Sequence, residues 1–382
     1  MVVTEPLPQH VIFLTDNLER PNGIVSSVCL LAEEFSRRGC MVELWTFRTC
    51  DEEIRQSFSV FDALPGYRAT TYLPGFATSR QGLRPIRRAV TFMWWPLVAH
   101  RMRRAAERWD PHALVIGAGL DAVHTAWLAG VRPPGLVSQV HLSISSLDLL
   151  QRRNIRGASV VSRVVTALTE QDAAGLSAQG LNAVCLPNPV PPTPSTASPG
   201  NSRTVVFVGR LAPEKQVAHL VRAFDRVADE SWTLDIYGAG PEESALRRLI
   251  KESSRSIRLR GTTHEVSSIF EHAAIHVLPS LAEGLPMSVL EAAAAGVPTL
   301  AYPASPGTIE AVGEGGIIVP QDDEDALASG LRRLMNSPAL RESLGQQARA
   351  HAHNYAPDII VDRWIALWQQ LHQDSPIRTA SH

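Results

Sequence analysis

Glu283 and Glu291 bracket the stretch Glu-Gly-Leu-Pro-Met-Ser-Val-Leu-Glu, two acids eight residues apart around the expected start of a helix. An apolar strand-like run, IHVLPS (275–280), precedes it, and a helical pattern continues through EAAAAG to Gly296. This spacing leaves Glu283 in the loop and carries Glu291 about two turns into the helix. The first backbone N–H groups between them have no intrahelical partner, and with the helix dipole they favour an anion. Pro286 suits the first turn, where the N–H it lacks would have gone unpaired. Two carboxylates beside a phosphate-ready helix end fit a ligand with both hydroxyls and phosphates, one acid for a sugar and the other for a ribose. A nucleotide sugar is such a ligand. Alone, the motif also fits a capped and solvated helix end.

A second element narrows the choice. Residues 204–208, TVVFV, form a β-branched run followed by Gly209-Arg210-Leu-Ala-Pro-Glu-Lys215. An amphipathic helix comes next, with Val217, Leu220, Val221, Phe224 and Val227 at helical spacing. A strand, a tight glycine turn and two cations at the strand's carboxyl end match the place where open α/β sheets bind ligands. Arg210 and Lys215 there can neutralise a diphosphate leaving group without a metal, although an ordinary surface pair would look the same.

Together these segments resemble the nucleotide-sugar glycosyltransferases of the large retaining family 4. The matching pieces are VGRLAPEKQV (208–217), LDIYGAGPEESALRRLI (234–250), RLRG (258–261), VLPSLAEGLPMSVLEAAAAGVPTLA (277–301) and GTIEAVGEGGIIVP (307–320). The resemblance implies an α/β protein of the GT-B fold, with two Rossmann-like domains, a cleft between them and a C-terminal helix crossing back. It places the donor diphosphate on Arg210 and Lys215, the transferred sugar on Glu283 and the ribose on Glu291. The turns at Gly209 and Gly261, and the run Gly284-Leu285-Pro286-Met287-Ser288-Val289, would complete the donor site.

At 382 residues the chain is long for one core and comfortable for two. The stretch LPNPVPPTPSTASPGNSR (186–203) holds six prolines among small polar residues and reads as a stiff linker. We therefore expect an N-terminal acceptor domain over 1–186, the linker over 187–203 and a nucleotide-sugar domain over 204–355. A crossover helix and tail would fill 356–382. In the second domain TLDIYG, IRLRG, IHVLPS, PTLAYP and GIIVP alternate with helical patterns, which implies a parallel sheet covered on both faces.

The first half matches the family less closely. HVIFLTD (10–16) reads as the first strand, and CLLAEEFSRRGCMVELWTF (29–47) as a helix running into a second strand. In the loop before that helix, where the family usually has two glycines against the donor phosphate, this chain has Asn22-Gly23. Gly23 still allows close backbone approach. LVSQVHLS (136–143) is a strand ending near His141, and the resemblance puts this histidine beside the transferred sugar, with catalytic Arg210, Lys215 and Glu283.

The remaining features bound the answer. A net charge of −2 with 45% hydrophobic residues fits a globular protein with no general affinity for nucleic acid. Cys29, Cys40, Cys50 and Cys185 have neither metal-ligand spacing nor a disulfide framework, consistent with a reducing cytoplasm. MVVTEPLPQH lacks the pattern of a signal peptide. Asp323-Glu324-Asp325 opens a helix, so its acids read as caps rather than a metal site. No cofactor is implied. Between Arg80 and Arg108, eight arginines face one acid, Glu107, around the aromatic run AVTFMWWPLVA (89–99). Such a segment can touch an anionic leaflet from the cytoplasmic side or an anionic acceptor, or can be a core helix with solvated ends. Pro96 is expected to bend or interrupt it.

The leading expectation is thus a retaining, metal-independent hexosyltransferase. It would use a nucleotide diphosphate sugar, UDP favoured, and an acceptor that is a glycan, a lipid-linked sugar or a small molecule. A GT-B sugar-nucleotide epimerase is the alternative. A nicotinamide-dependent oxidoreductase is weaker, since YGAGPEES (237–244) has Glu243 where the fingerprint needs a third glycine.

Overall fold

In the computed structural model, which describes residues 6–19, 23–47, 50–62, 84–133, 135–144, 147, 149–191, 202–263 and 265–373 (side chains of 84–94 and 150 excepted), the first apolar run becomes strand β1 (His10–Thr15). All six residues are buried, as a strand covered on both faces requires. There follow α1 (Gly23–Arg37), β2 (Met41–Thr46), α2 (Glu52–Ser57), β3 (Ser59–Asp62), α3 (Arg84–Ala106), β4 (Leu114–Gly117) and α4 (Leu120–Leu128). Then come β5 (Leu136–Val140), α5 (Leu149–Val161), β6 (Val164–Ala167), α6 (Glu170–Ser177) and β7 (Ala183–Cys185). Among the described residues the strands pair in parallel in the order β3-β2-β1-β4-β5-β6-β7. The order reverses between β1 and β4, the switch point at which such sheets leave a crevice beyond the strand ends.

One face of this sheet is covered by α3, α4 and α5, whose Met102, Val123, Ala126 and Ala158 pack with Ile12, Leu14 and Val115 in one buried cluster. Two expectations shift here. Helix α1 begins at Gly23, six residues before Cys29, so Gly23 is its first residue rather than part of the loop; Asn22 lies outside the described residues. Pro96 sits inside a continuous α3 instead of interrupting it. It is exposed there, on the side where water can replace the hydrogen bond its ring removes.

The second sheet is built from β8 (Thr204–Val208), β9 (Thr233–Tyr237), β10 (Ser256–Gly261), β11 (Ile275–Leu278), β12 (Thr299–Ala301) and β13 (Gly316–Ile318). Its helices are α7 (Val217–Val227), α8 (Glu243–Glu252), α9 (Val266–Glu271), α10 (Met287–Ala294), α11 (Pro306–Val312), α12 (Glu324–Asn336) and α13 (Pro338–Ala352). Strand order is β10-β9-β8-β11-β12-β13, all pairs parallel, with the reversal between β8 and β11. Asp323 accepts a hydrogen bond from the Ala326 amide at 2.8 Å, and Asp325 pairs with Arg226 at 2.6 Å. Asp323 thus caps α12 as expected, whereas Asp325 ties that helix to α7.

The chain divides into two compact units: Met1–His141 with Leu147–Leu186 and Val361–His382, and Leu142–Ser146 with Pro187–Ile360. The final helix, α14 (Pro357–Gln373), passes from the second unit to the first. Within the first unit its Trp364 is fully buried and its Asp362 pairs with Arg38. Trp368 Nε1 donates to the His112 carbonyl at 2.8 Å, and Arg163 Nη1 to the Leu371 carbonyl at 2.8 Å. No helix of the described residues is long and apolar enough to cross a membrane.

Candidate active site

At the carboxyl edge of the second sheet, three strand-end turns are stitched together by backbone hydrogen bonds. The Gly209 amide donates to the Tyr237 carbonyl (3.0 Å), the Leu211 amide to the Ala239 carbonyl (2.9 Å) and the Gly238 amide to the Gly261 carbonyl (2.7 Å). The approach is so close that a Cβ on Gly238, which has φ +138°, would lie 1.8 Å from the Gly209 carbonyl oxygen. One on Gly240 would lie 2.2 Å from that of Leu211. The glycines of YGAG are therefore needed to pack this turn against the Arg210 loop, and that need accounts for them without a dinucleotide. Gly261, at φ +73°, has open space where a side chain would stand.

The same loop delivers the cations. After Arg210 the chain makes a short 3-10 turn, Pro213–Lys215, and the Glu214 carbonyl accepts from the Leu281 amide at 2.8 Å. That bond ties the loop following β8 to the loop following β11 and sets Lys215 against Glu283, Nζ to Oε1 2.6 Å. The side chains are 19% and 10% exposed, so the pair is sheltered but open to a ligand. Arg210 is 66% exposed and pairs with Glu214, an acid to which sequence reasoning gave no role. Each cation waits on a carboxylate.

Helix α10 starts immediately beyond Glu283-Gly284-Leu285. Pro286 is its N-cap, one position outside the first turn where the sequence put it, and supplies no side-chain hydrogen bond. The opening amides of Met287 and Ser288 thus have no side-chain cap, while those of Val289 and Leu290 turn back to the Pro286 carbonyl. Glu291 lies in the second turn, partly accessible yet closely surrounded by protein. Loss of water pushes its carboxyl up to about 7.

A clamp missed by sequence reasoning holds this loop. Ser305 caps α11 by accepting from the Thr308 amide, and its Oγ donates to the Gly284 carbonyl at 2.9 Å. Gly307 packs so tightly that a Cβ there would meet the Gly284 oxygen at 2.1 Å. The signal was present in Ser305-Pro306-Gly307-Thr308, an N-cap serine followed by an N1 proline.

The first unit presents its own residues at a carboxyl edge. His141 directly follows β5, and burial lowers its pKa to about 4, the Ala118 backbone acting weakly the other way. That contact falls short of a hydrogen bond: among the described residues neither ring nitrogen has a partner. On the neighbouring strand ends, a Cβ on Gly119 would lie 2.5 Å from Oδ2 of Asp16. Gly23 is exposed at the start of α1.

Residues 202–337 match the family model of glycosyl transferases group 1. The matched stretch lies within the second unit. An exopolysaccharide phosphotransferase of Streptomyces coelicolor is 36% identical over 229 residues, 57% of this chain and 24% of the relative. An uncharacterized glycosyltransferase of Haemophilus influenzae is 31% identical over 183 residues, 45% of this chain and 52% of the relative. This chain therefore spans about a quarter of the first relative and about half of the second. Among solved structures, sucrose-phosphate synthase from Thermosynechococcus elongatus superposes with a TM-score of 0.74 at 18% identity, over 96% of this chain and 100% of that one. HepE of Anabaena, solved with UDP and glucose, gives 0.70 at 17% identity over 96% and 99%. The fold is GT-B, with two Rossmann-like α/β units.

Proposed function

We propose that this protein is a retaining glycosyltransferase moving a hexose-type sugar from a nucleotide diphosphate sugar to an acceptor hydroxyl. The observation that carries this reading is the Lys215–Glu283 pair beside the uncapped start of α10, within the segment that matches group 1 glycosyltransferases. On donor binding, Lys215 and Arg210 turn from their carboxylates to the diphosphate, and the amides of Met287 and Ser288 add fixed dipoles. Glu283 accepts hydrogen bonds from the sugar and Glu291 from the ribose. As the bond from C1 to the phosphate oxygen breaks, charge grows on a group these residues already address. The acceptor oxygen bonds C1 from the same face, and its proton passes to the departing phosphate oxygen, so no protein nucleophile is required. Two cations do the work of a divalent metal, and transfer is metal-independent. UDP is the favoured nucleotide, since HepE and other structural neighbours are solved with it.

Incubation with a panel of UDP-, GDP- and ADP-sugars, with the anomeric configuration of the product read by NMR, tests the proposal. It predicts release of a nucleoside diphosphate and a product that keeps the donor's configuration. Inversion, or no turnover of any donor, would contradict it. A second reading, transfer of sugar together with phosphate, is favoured by the name of the Streptomyces relative. It would release a nucleoside monophosphate instead.

A further inference from the structure

The three helices on one face of the first sheet share a property that the donor site does not use. Helices α3 and α5 contain nine arginines and no acid, α4 has one acid, Asp121, in its first turn, and Glu107 in the turn after α3 pairs with Arg104 at 3.2 Å, while the whole chain carries a net −2. The inner sides of these helices are core. Their outer sides share one spacing. On α3 and the turn after it, Leu97, Arg101, Arg104 and Arg108 are exposed at a spacing of four, three and four, with Leu97 at 58%. On α5 the same spacing exposes Leu149 (87%), Arg153, Arg156 and Val160 (83%). Between them the end of α4 exposes Trp127 and Leu128, with the Arg132 guanidinium 4.7 Å from the Trp127 ring. The helices are direct neighbours: Arg103 on α3 donates to the Ala129 carbonyl at 2.8 Å, and a Cβ at Gly157 on α5 would touch His124 of α4.

Stripes of arginines bordered by exposed large apolar side chains fit a partner that is anionic at its surface and apolar just beneath. A soluble polyanion would use only the charges, and a second copy of this face would be repelled by them. We propose that the outward face of α3, α4 and α5 docks on an anionic lipid bilayer, the arginines meeting headgroup phosphates while Leu97, Trp127, Leu149 and Val160 enter the headgroup–acyl boundary. This does not depend on the donor reading.

The test is co-sedimentation of the full chain with vesicles of phosphatidylcholine, alone or with about one-third phosphatidylglycerol, at low and high salt; above about 0.1 M the Debye length drops below roughly 10 Å. The protein should pellet with the anionic vesicles only, and release as salt rises. R153E/R156E should lower partitioning by at least about tenfold, because each basic residue near such a surface contributes severalfold to binding. L149S/V160S should weaken it while keeping the salt dependence, and both variants should keep the wild-type melting temperature. Wild-type protein that stays in solution or pellets equally with neutral vesicles would overturn the proposal, as would undiminished binding by R153E/R156E. Tighter retention on soluble polyphosphate than on vesicles would also overturn it, as would a vesicle-free dimer that R153E/R156E dissociates.

Discussion

At the carboxyl edge of the second sheet Lys215 holds Glu283 and Arg210 holds Glu214, whereas at that of the first both ring nitrogens of the half-buried His141 are out of solvent and find no hydrogen-bond partner among the described residues. On the function proposed above, the contrast follows from what each edge must meet. A site for a diphosphate needs full charges, and a sheltered charge without a counter-charge is too costly to keep in an empty protein. Partner acids hold the cations in place until a stronger anion arrives. A site for sugar hydroxyls needs only neutral donors and acceptors, which can stay unpaired at a cost of about 1–3 kcal/mol each. On the proposed reading, loss of water keeps His141 neutral for that role.

Breaking the charge-paired edge should have the largest effect. Lys215→Ala removes the cation and leaves Glu283, whose side chain is 10% exposed, without its partner. Turnover in a donor-hydrolysis assay should fall roughly 10²–10³-fold, with the fold retained by circular dichroism. Arg210→Ala should cost as much or slightly less, since Glu214 is left solvated. If both variants stay within about threefold of wild type, these residues do not hold the diphosphate.

The next effect sharpens the role of backbone. Gly307→Ala puts a methyl carbon where the Gly284 oxygen stands 2.1 Å away. It should lower stability by about 1–3 kcal/mol in urea melts and weaken nucleotide binding, because the turn carrying Glu283 must move. Unaltered affinity by calorimetry would show that this clamp does not position the site.

Titration compares the two edges directly. Glu291 keeps its proton to about 7 in the fold against an ordinary 4.5, so its contribution to stability is fullest below about 4.5 and is lost as pH rises to about 7. Ribose hydroxyls need the carboxylate, so nucleotide affinity should rise severalfold from pH 5.5 to 8 in wild type and much less in Glu291→Gln. His141 runs in the opposite sense. Its pKa falls from 6.5 to about 4, so stability is complete above about 6.5 and declines as pH drops through that interval. Acid melts of His141→Asn should show a shallower decline. His276, fully buried on β11 and lowered to about 3, contributes a like slope in both proteins. The smallest expected effect is that of saturating EDTA, which should leave transfer within about twofold; full loss restored by Mg²⁺ or Mn²⁺ would remove the two-cation account.

Legibility in the sequence also differed between the edges. In the second unit the strands are short and mostly apolar, and the residues proposed for the chemistry sit at fixed offsets from strand ends and helix starts, so Arg210, Lys215, Glu283 and Glu291 could be placed on their elements. What stayed hidden was contact between distant turns. Nothing in Ser305 or Gly307 alone says that they press on Gly284, and nothing in Glu214 says that it holds Arg210. The start of α1 was misplaced because Gly23, Ser26 and Ser27 read as loop residues, whereas packing of Val25, Val28 and Leu31 extends the helix back over them. The basic segment was visible on α3 alone; its continuation on α5 emerged only when the fold put the two helices on one face.

The passage of α14 from one unit to the other orders events during synthesis. The first unit takes residues up to Leu186 and then nothing further until Val361, which supplies the buried Trp364 and the bonds from Trp368 and Leu371. At about 5–20 residues per second, the ribosome needs roughly 10–35 s to reach that helix. During that interval the sheet of the first unit has emerged without α14, whose bonds reach His112 and Arg163 just before β4 and β6, while the second unit is still being made up to Ile360. The half that comes out first is the half that finishes last, and a nascent chain stalled before Val361 would offer the apolar surface that Trp364 otherwise fills to chaperones or to its neighbours.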